Sequence, residues 1–579
     1  MRAPIVAAAT TLTALMLFAC APEEGAPYAQ SNGSNSSATV SSTEPNTTNP
    51  ESTIAAAALS GGYLVDDESF NLLSPYEQYR VANKLLATVY KGLPVDEYFD
   101  LDQGFNNPIT MNDGTFFSDL IAQLNTPISD EELFEIDLVI LGSEQVDSEG
   151  YPDIEADFDF SRDRPRELPL ARISSYPVSK QGFEHWMAWH LTNSILFSPA
   201  TEMDSTSMID AQNIYRRLVN GISEDAPIAT IVSAHMRSLE NWRRFRSPED
   251  NTREMMEIFL GLEDQDADVP KASKACQDLY LTDDRDGYLL AYTDFPNGEP
   301  QDVLNTTIVN CDDFYDAVAA HERLIPTVVF HLVNFFHAEH QFVAKQAIAA
   351  RVLESQPVTF TDVFEQILLS KEYLLVTERP RAFEEAFLAT AEKLRWRKRS
   401  DLFRGMSSGQ GGSSKAYMSE MAWPAFSAKL GRQAGIGLDS LSFANYHKAY
   451  RELLLIDRSR WAKPMGFITL DSPEEEFDGE TPTDAQLAEF ERQVALNSQL
   501  KRLTIEDLLN YLFLSVVERK PVSGEVNHLL TLFDDSGYIR HEEERDYVQS
   551  GRMDDLAQLT MDYLSRLPET YYLKKDGGI

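Results

Sequence analysis

Histidines, carboxylates and arginines at helical spacing are the residues of this 579-residue chain best equipped for chemistry. His337 and His340 stand three apart in a very apolar segment, a spacing that puts two imidazoles on one helix face as ligands for a divalent metal. His331 is turned about 120° away, His-Glu-x-x-His is not formed, and no third ligand can be placed, so two histidines packing at a helix end is the competing expectation. Arg253 lies four residues after Glu249 and four before Glu257, a Glu–Arg–Glu ladder along one helix face, with Glu254 turned elsewhere. Half-buried, such carboxylates can do acid–base work, because burial and neighbouring charges move pKa values toward neutrality. Exposed, the ladder is a solvated face. His190, in an aromatic run with Trp186 and Trp189, either lines a ligand groove or belongs to an aromatic core. The candidate catalytic set is therefore Arg253, Glu254, Glu257 and His190.

Other chemistries are excluded. Cys-x-x-Cys-His does not occur, so there is no covalent haem; Gly-x-Ser-x-Gly is absent, and the Gly/Ser stretch 407–414 does not form a phosphate loop. No cofactor is expected beyond the divalent metal. The formal charge of −42 sets a field that repels nucleic acid. One run breaks it: Lys393 to Arg404, with Arg395, Trp396, Arg397, Lys398 and Arg399 at its centre. It could grip an envelope protein or an anionic polymer such as lipopolysaccharide, or pair internally with the surplus carboxylates.

The elements that must position these residues read as all-α, with a small β-hairpin-like excursion near 280–310. Ser247-Pro248-Glu249-Asp250 opens a helix that Gly261 stops, Ser74-Pro75 opens another, Thr361 caps one more, and Thr504 with Asp507 caps a fourth. The strand signal covers 288–295 and 306–310, joined by a turn at Pro296-Asn297-Gly298. Segments 85–101 and 512–530 share a pattern of apolar helix, basic residue, Pro-Val and acidic residue, and no third copy is found. Cys276 and Cys311 flank the excursion, as a structural disulfide or as two buried thiols.

Residues 249–262 resemble the signature helix of a widespread exported bacterial family, domain of unknown function 1800, with Arg253, Glu254, Met256 and Glu257 matching and Asp250, Asn251, Phe259 and Gly261 departing. Weaker likenesses follow in the family's order: Trp186–His190, 272–281 with 302–308, 319–336, 367–375, and Lys429–Gln433. The resemblance spans about 75–455 and implies an exported, mostly helical protein with no assigned reaction. The family's His-Asp-x-Gly-x-Lys and Pro-Pro-x-Val-x-Gly-Trp stretches are missing here, which puts in doubt any activity they carry.

Residues 1–20 read as a secretory leader ending Leu17-Phe18-Ala19-Cys20, which resembles the bacterial lipoprotein cleavage motif. That makes Cys20 the lipidated (palmitate-bearing) residue, and Ala21 implies sorting to the outer membrane, on its periplasmic or cell-surface face. The expected organisation is a signal peptide (1–20), a Ser/Asn/Thr/Pro tether (21–58), a large helical domain (59–405), a Gly/Ser linker (406–415) and a C-terminal helical part (416–579). The functional expectation is binding or assembly at the cell envelope, through a membrane anchor; the alternative is an exported hydrolase or oxidoreductase.

Overall fold

The computed structural model describes residues 56–101, 105, 114–141, 167–197, 208–263, 267–284, 287–292, 299–338, 340–394, 482, 484–500, 503–535 and 553–573. The leader, Cys20, the tether up to residue 55, the linker 406–415, Arg395–Arg399 and Lys429–Gln433 lie outside them.

The described chain is mainly helical, with 22 helices and three small two-stranded pairs. The first helices are α1 Ala56–Leu59, α2 Asp67–Asn71, α3 Pro75–Thr88, α4 Val95–Tyr98, α5 Phe116–Asn125, α6 Asp130–Leu141 and α7 Glu167–Ser175. Then come α8 Lys180–Thr192, α9 Met208–Ser223, α10 Ile228–Met236, α11 Leu239–Arg244, α12 Pro248–Leu260 and α13 Val269–Ala275. After the strands follow α14 Cys311–Ala319, α15 Leu324–Phe336, α16 Phe342–Glu354, α17 Phe360–Leu368, a π-helical turn at Glu372–Val376, and α18 Phe383–Lys393. The last are α19 Asp484–Leu500, α20 Ile505–Val517, α21 Ser523–Asp535 and α22 Met553–Leu564. The final residues of the expected tether, 56–58, are thus already helical.

Local rules explain the best-marked boundaries. Ser74 and Glu77 close a reciprocal capping box at the start of α3, and Ser247 accepts from Asp250 N ahead of α12, which ends on Gly261 in the left-handed region (φ 57°). The cap of α17 is Thr359 rather than Thr361, because Thr359 faces Asp362 three residues on and each side chain takes the other's backbone N–H.

The excursion differs from the expected hairpin. Segment 287–292 (β2) pairs with 279–284 (β1), and 306–308 (β4) pairs with 301–303 (β3), so two hairpins replace one. The second turns on Leu304 and Asn305, both at positive φ, the backbone of a tight two-residue hairpin turn. Cys276 and Cys311 stand at disulfide distance, 2.17 Å between sulfurs, and tie the end of α13 to the start of α14.

One core cluster runs from Ala58 to Tyr571, so the described part of 416–579 packs into the same interior as 59–394. Its central elements are two copies of one unit. Thr359, Asp362, Val363, Phe364, Ile367, Leu369, Ser370, Glu378, Arg379 and Glu385 recur as Thr504, Asp507, Leu508, Leu509, Leu512, Leu514, Ser515, Glu518, Arg519 and Glu525. Each copy is a capped helix, a turn and a second helix, and the turns share one hydrogen-bonding scheme. Arg379 grips Glu385 in a fork (2.7 and 2.8 Å) and donates to Pro380 O, while Ala382 N donates to the same carboxylate. Arg519 grips Glu525 (2.7 and 2.8 Å) and donates to Lys520 O, while Val522 N donates to that carboxylate. The likeness of 85–101 to 512–530 is therefore the fainter part of a pattern whose closer match lies at 359–385.

The copies also interlock. Glu518, in the left-handed region at φ 61°, accepts from Arg381 (3.0 Å) and Lys393 (2.9 Å) of the other copy, and residues 379–380 (β5) pair with 572–573 (β6). Arg379→Met leaves Glu385 buried without its cation and is expected to cost about 3–5 kcal/mol in urea unfolding. The double substitution Arg379→Met/Glu385→Leu should recover most of that loss; a double variant as unstable as the single one would show that the pair is not what holds the turn.

Candidate functional site

The ladder on α12 is open at its first rung. Arg253 pairs with Glu249 at 3.1 Å and both side chains are exposed, an arrangement worth a few tenths of a kcal/mol at most. Glu254 and Glu257 are half-buried, while Asn251, Met255, Met256 and Phe259 form the buried face. The matching Arg253, Glu254 and Glu257 therefore lie off that buried face, and Met256 lies on it.

His190 has different surroundings. It is 3 % exposed on α8, with ring centroids 4.6 Å from Phe335, 5.0 Å from Phe336 and 5.6 Å from both Phe364 and Trp186. This is the aromatic-core alternative: the ring is a wedge between α8, α15 and α17, whereas Arg253 looks outward.

His337 and His340 are brought together, and by a hydroxyl. His337 ends α15 fully buried; its Nδ1 is 2.7 Å from Thr377 Oγ1, and His340 Nε2 is 3.0 Å from the same atom. Thr377 Oγ1 also reaches Glu372 O (2.9 Å), and with its one proton donated there both rings present an N–H to it. Burial first, then His340, Lys84, Arg379 and Lys345, hold His337 well below the ordinary imidazole pKa, so that ring stays neutral. His340 reaches the rim, where its Nδ1 faces Glu372 at 3.7 Å. Among the described residues no three His, Cys, Asp or Glu side chains are grouped to hold a metal ion.

Behind Thr377 the polar network continues inward. Lys84, 1 % exposed on α3, donates to Tyr373 O and Thr377 O and lies 5.0 Å from the centroid of the Tyr373 ring. Burial, helped by the nearby Arg379 charge, lowers its pKa to about 7. Tyr373 hydroxyl meets Thr88 (2.6 Å) and Arg379 (2.8 Å), which leads to Glu385. Burial alone would raise Glu518 in the neighbouring cluster, but Lys393 and Arg381 outweigh it and hold that carboxyl at about 2. Chemically, the centre offers an amine with a pKa near neutrality, three hydroxyls (Thr88, Tyr373 and Thr377) and an uncharged imidazole, all buried.

Lys393 corrects the cationic surface: it is fully buried and paired with Glu518, the internal pairing that the acidic surplus made available. The residues that sequence reasoning missed are Lys84, Thr88, Tyr373, Thr377, Arg379 and Glu385. A readable signal existed in the recurring Thr-x-x-Asp, Leu-Ser and Glu-Arg, but seven residues separate Ser370 from Glu378 and only two separate Ser515 from Glu518, which breaks the alignment.

No family model, curated protein or solved structure matches the chain. Among the described residues no helix is long and apolar enough to cross a membrane.

Thr377→Val keeps the side-chain shape and leaves the His337 N–H buried without its acceptor. A loss of about 1–3 kcal/mol is expected, with Thr377→Ser close to wild type; equal stabilities for the two variants in chemical denaturation would remove Thr377 from its organising role.

Proposed function

We propose that the chain is an exported, lipid-anchored helical protein of the bacterial outer membrane that works by binding or assembly at the envelope, as a divergent relative of domain of unknown function 1800. The observation that carries the non-catalytic reading is where the chemical side chains are engaged. His190 is wedged among four aromatic rings, His337 and His340 converge on Thr377, and Arg253 pairs with Glu249 in the open. Each is committed to packing or solvation rather than aimed at a shared reacting point. The Cys276–Cys311 pair supports export, because disulfides persist in oxidising compartments. The leader ending in Cys20 supports the anchor, and acylation by more than one chain gives stable attachment. Arg395, Arg397, Lys398 and Arg399 are the proposed contact for an anionic envelope partner.

Two experiments test the reading. The wild type is expected in the detergent phase on Triton partitioning and Cys20→Ser in the aqueous phase; equal partitioning defeats the anchor. Glu257→Gln, close to isosteric, should complement a deletion strain's envelope phenotype as well as wild type does, whereas loss of complementation at unchanged melting temperature would favour the hydrolase or oxidoreductase alternative.

A further inference from the structure

The two copies of the capped unit differ at one place. Seven residues, 371–377, link Ser370 to Glu378, against two, 516–517, between Ser515 and Glu518, and the extra length forms the π-helical turn Glu372–Val376. Single-turn π segments inside helices mark insertions and often functional sites. The insertion supplies both carbonyls that hold the Lys84 amine, Tyr373 O within the turn and Thr377 O just after it.

The start of the same insertion is held by the N-terminal end of the described chain. Residues 63–65 lie antiparallel to 369–371: Val65 N donates to Leu369 O (2.9 Å), Lys371 N donates to Tyr63 O (3.0 Å), and Leu64 bridges Ser370. The Lys371 ammonium reaches back to Ser60 O. Ser60, Gly61 and Gly62 are exposed; Gly61 sits at φ 86°, and a side chain added at Gly62 would meet nothing within 4 Å. The pairing is anchored at Val65, which is set in the core, while its other end, Ser60 to Gly62, is exposed and held chiefly by the Lys371 ammonium, so opening starts from that end.

We propose that residues 60–65 are a strap that gates the Lys84 centre: closed, it fixes the first residues of the inserted turn, and open, it frees that turn to lift off α3 and uncover the amine. Ser370 Oγ connects the two ends of the device, accepting from Tyr373 N while its neighbour Lys371 is held by the strap. The Arg379–Glu385 fork lies beyond the turn and also takes Ala382 N, so the second helix of the unit keeps its start when the Arg379–Tyr373 bond parts. Acetylation makes the event readable, since the reagent reaches the Lys84 amine only once the turn has lifted, and loss of burial then returns that amine toward the ordinary lysine range.

The test uses the full chain and Val65→Pro, which removes the donor to Leu369 O, with Lys371→Met, which removes the grip on Ser60, as an independent variant. Hydrogen exchange of 371–377 and acetylation of Lys84 at pH 8 are both expected to rise about tenfold or more in each variant, the scale set by losing one or two hydrogen bonds. Exchange at 516–522 in the sister copy and acetylation of the exposed Lys274 should change less than about twofold. Unchanged Lys84 acetylation and unchanged exchange at 371–377 overturn the strap. An equal rise in both copies shows global destabilisation and overturns it as well, and if Val65→Pro does not fold, Lys371→Met alone decides between these outcomes.

Discussion

A buried charge stripped of its partner costs several kcal/mol, and this protein gathers six buried ionisable side chains, each held by polar partners, at the junction of its two repeated units. Arg379, Glu385, Arg381, Lys393, Glu518 and Lys84 are all under 10 % exposed. Their bonds cross between elements far apart in sequence: Lys84 on α3 reaches the inserted turn, and Glu518 after α20 reaches both ends of α18. Each bond has a direction and a length, so a slip of one helix by a single turn would strand a charge. Apolar packing alone tolerates such slips far better. The position of α3, α18 and α20 relative to one another is thus set by electrostatic completeness, with the aromatic cluster around Trp186 and His190 filling the space beside it.

What the sequence disclosed was local. The starts of α3, α12 and α20 were legible because an oxygen-bearing cap, a proline or an acidic third residue act within one turn of chain. One strand of each hairpin is legible, 288–292 and 306–308, but not its partner, since the two-residue turn at Leu304-Asn305 carries little of the Asn-Gly character that announces a hairpin. Thr359 lost to Thr361 as the expected cap because the two threonines differ only in which finds an acidic side chain three residues later. The candidate centre was hidden for another reason. Lys84 in an amphipathic helix and Lys393 in a basic run look like surface residues until their acceptors are known, and those acceptors sit 289 and 125 positions away. Long-range pairing of this kind leaves no periodic trace in one sequence.

Acidity and interior chemistry are separate features of the molecule. The surplus of carboxylates is spread over the chain, whereas the interior clusters hold matched charges, Arg379 with Glu385 and Arg381 and Lys393 with Glu518. A protein with this division repels polyanions at a distance while its stability depends on a few pairs that salt screens poorly. The disulfide-tied excursion stands apart from both, joining α13 to α14 through apolar ends such as Val303 and Ile308.

The two arginine–glutamate forks share the paired guanidinium–carboxylate bonds and the backbone partners, but differ in their further partners, the Tyr373 hydroxyl for Arg379 and the Glu569 carboxylate for Arg519, and in depth. Side-chain exposure is 1 % and 3 % for Arg379 and Glu385, against 13 % and 11 % for Arg519 and Glu525. The chain therefore carries one ion-pair motif at two depths, and the chemistry of the third partner follows the depth: a neutral hydroxyl where the fork is sealed, a second carboxylate where water still reaches it.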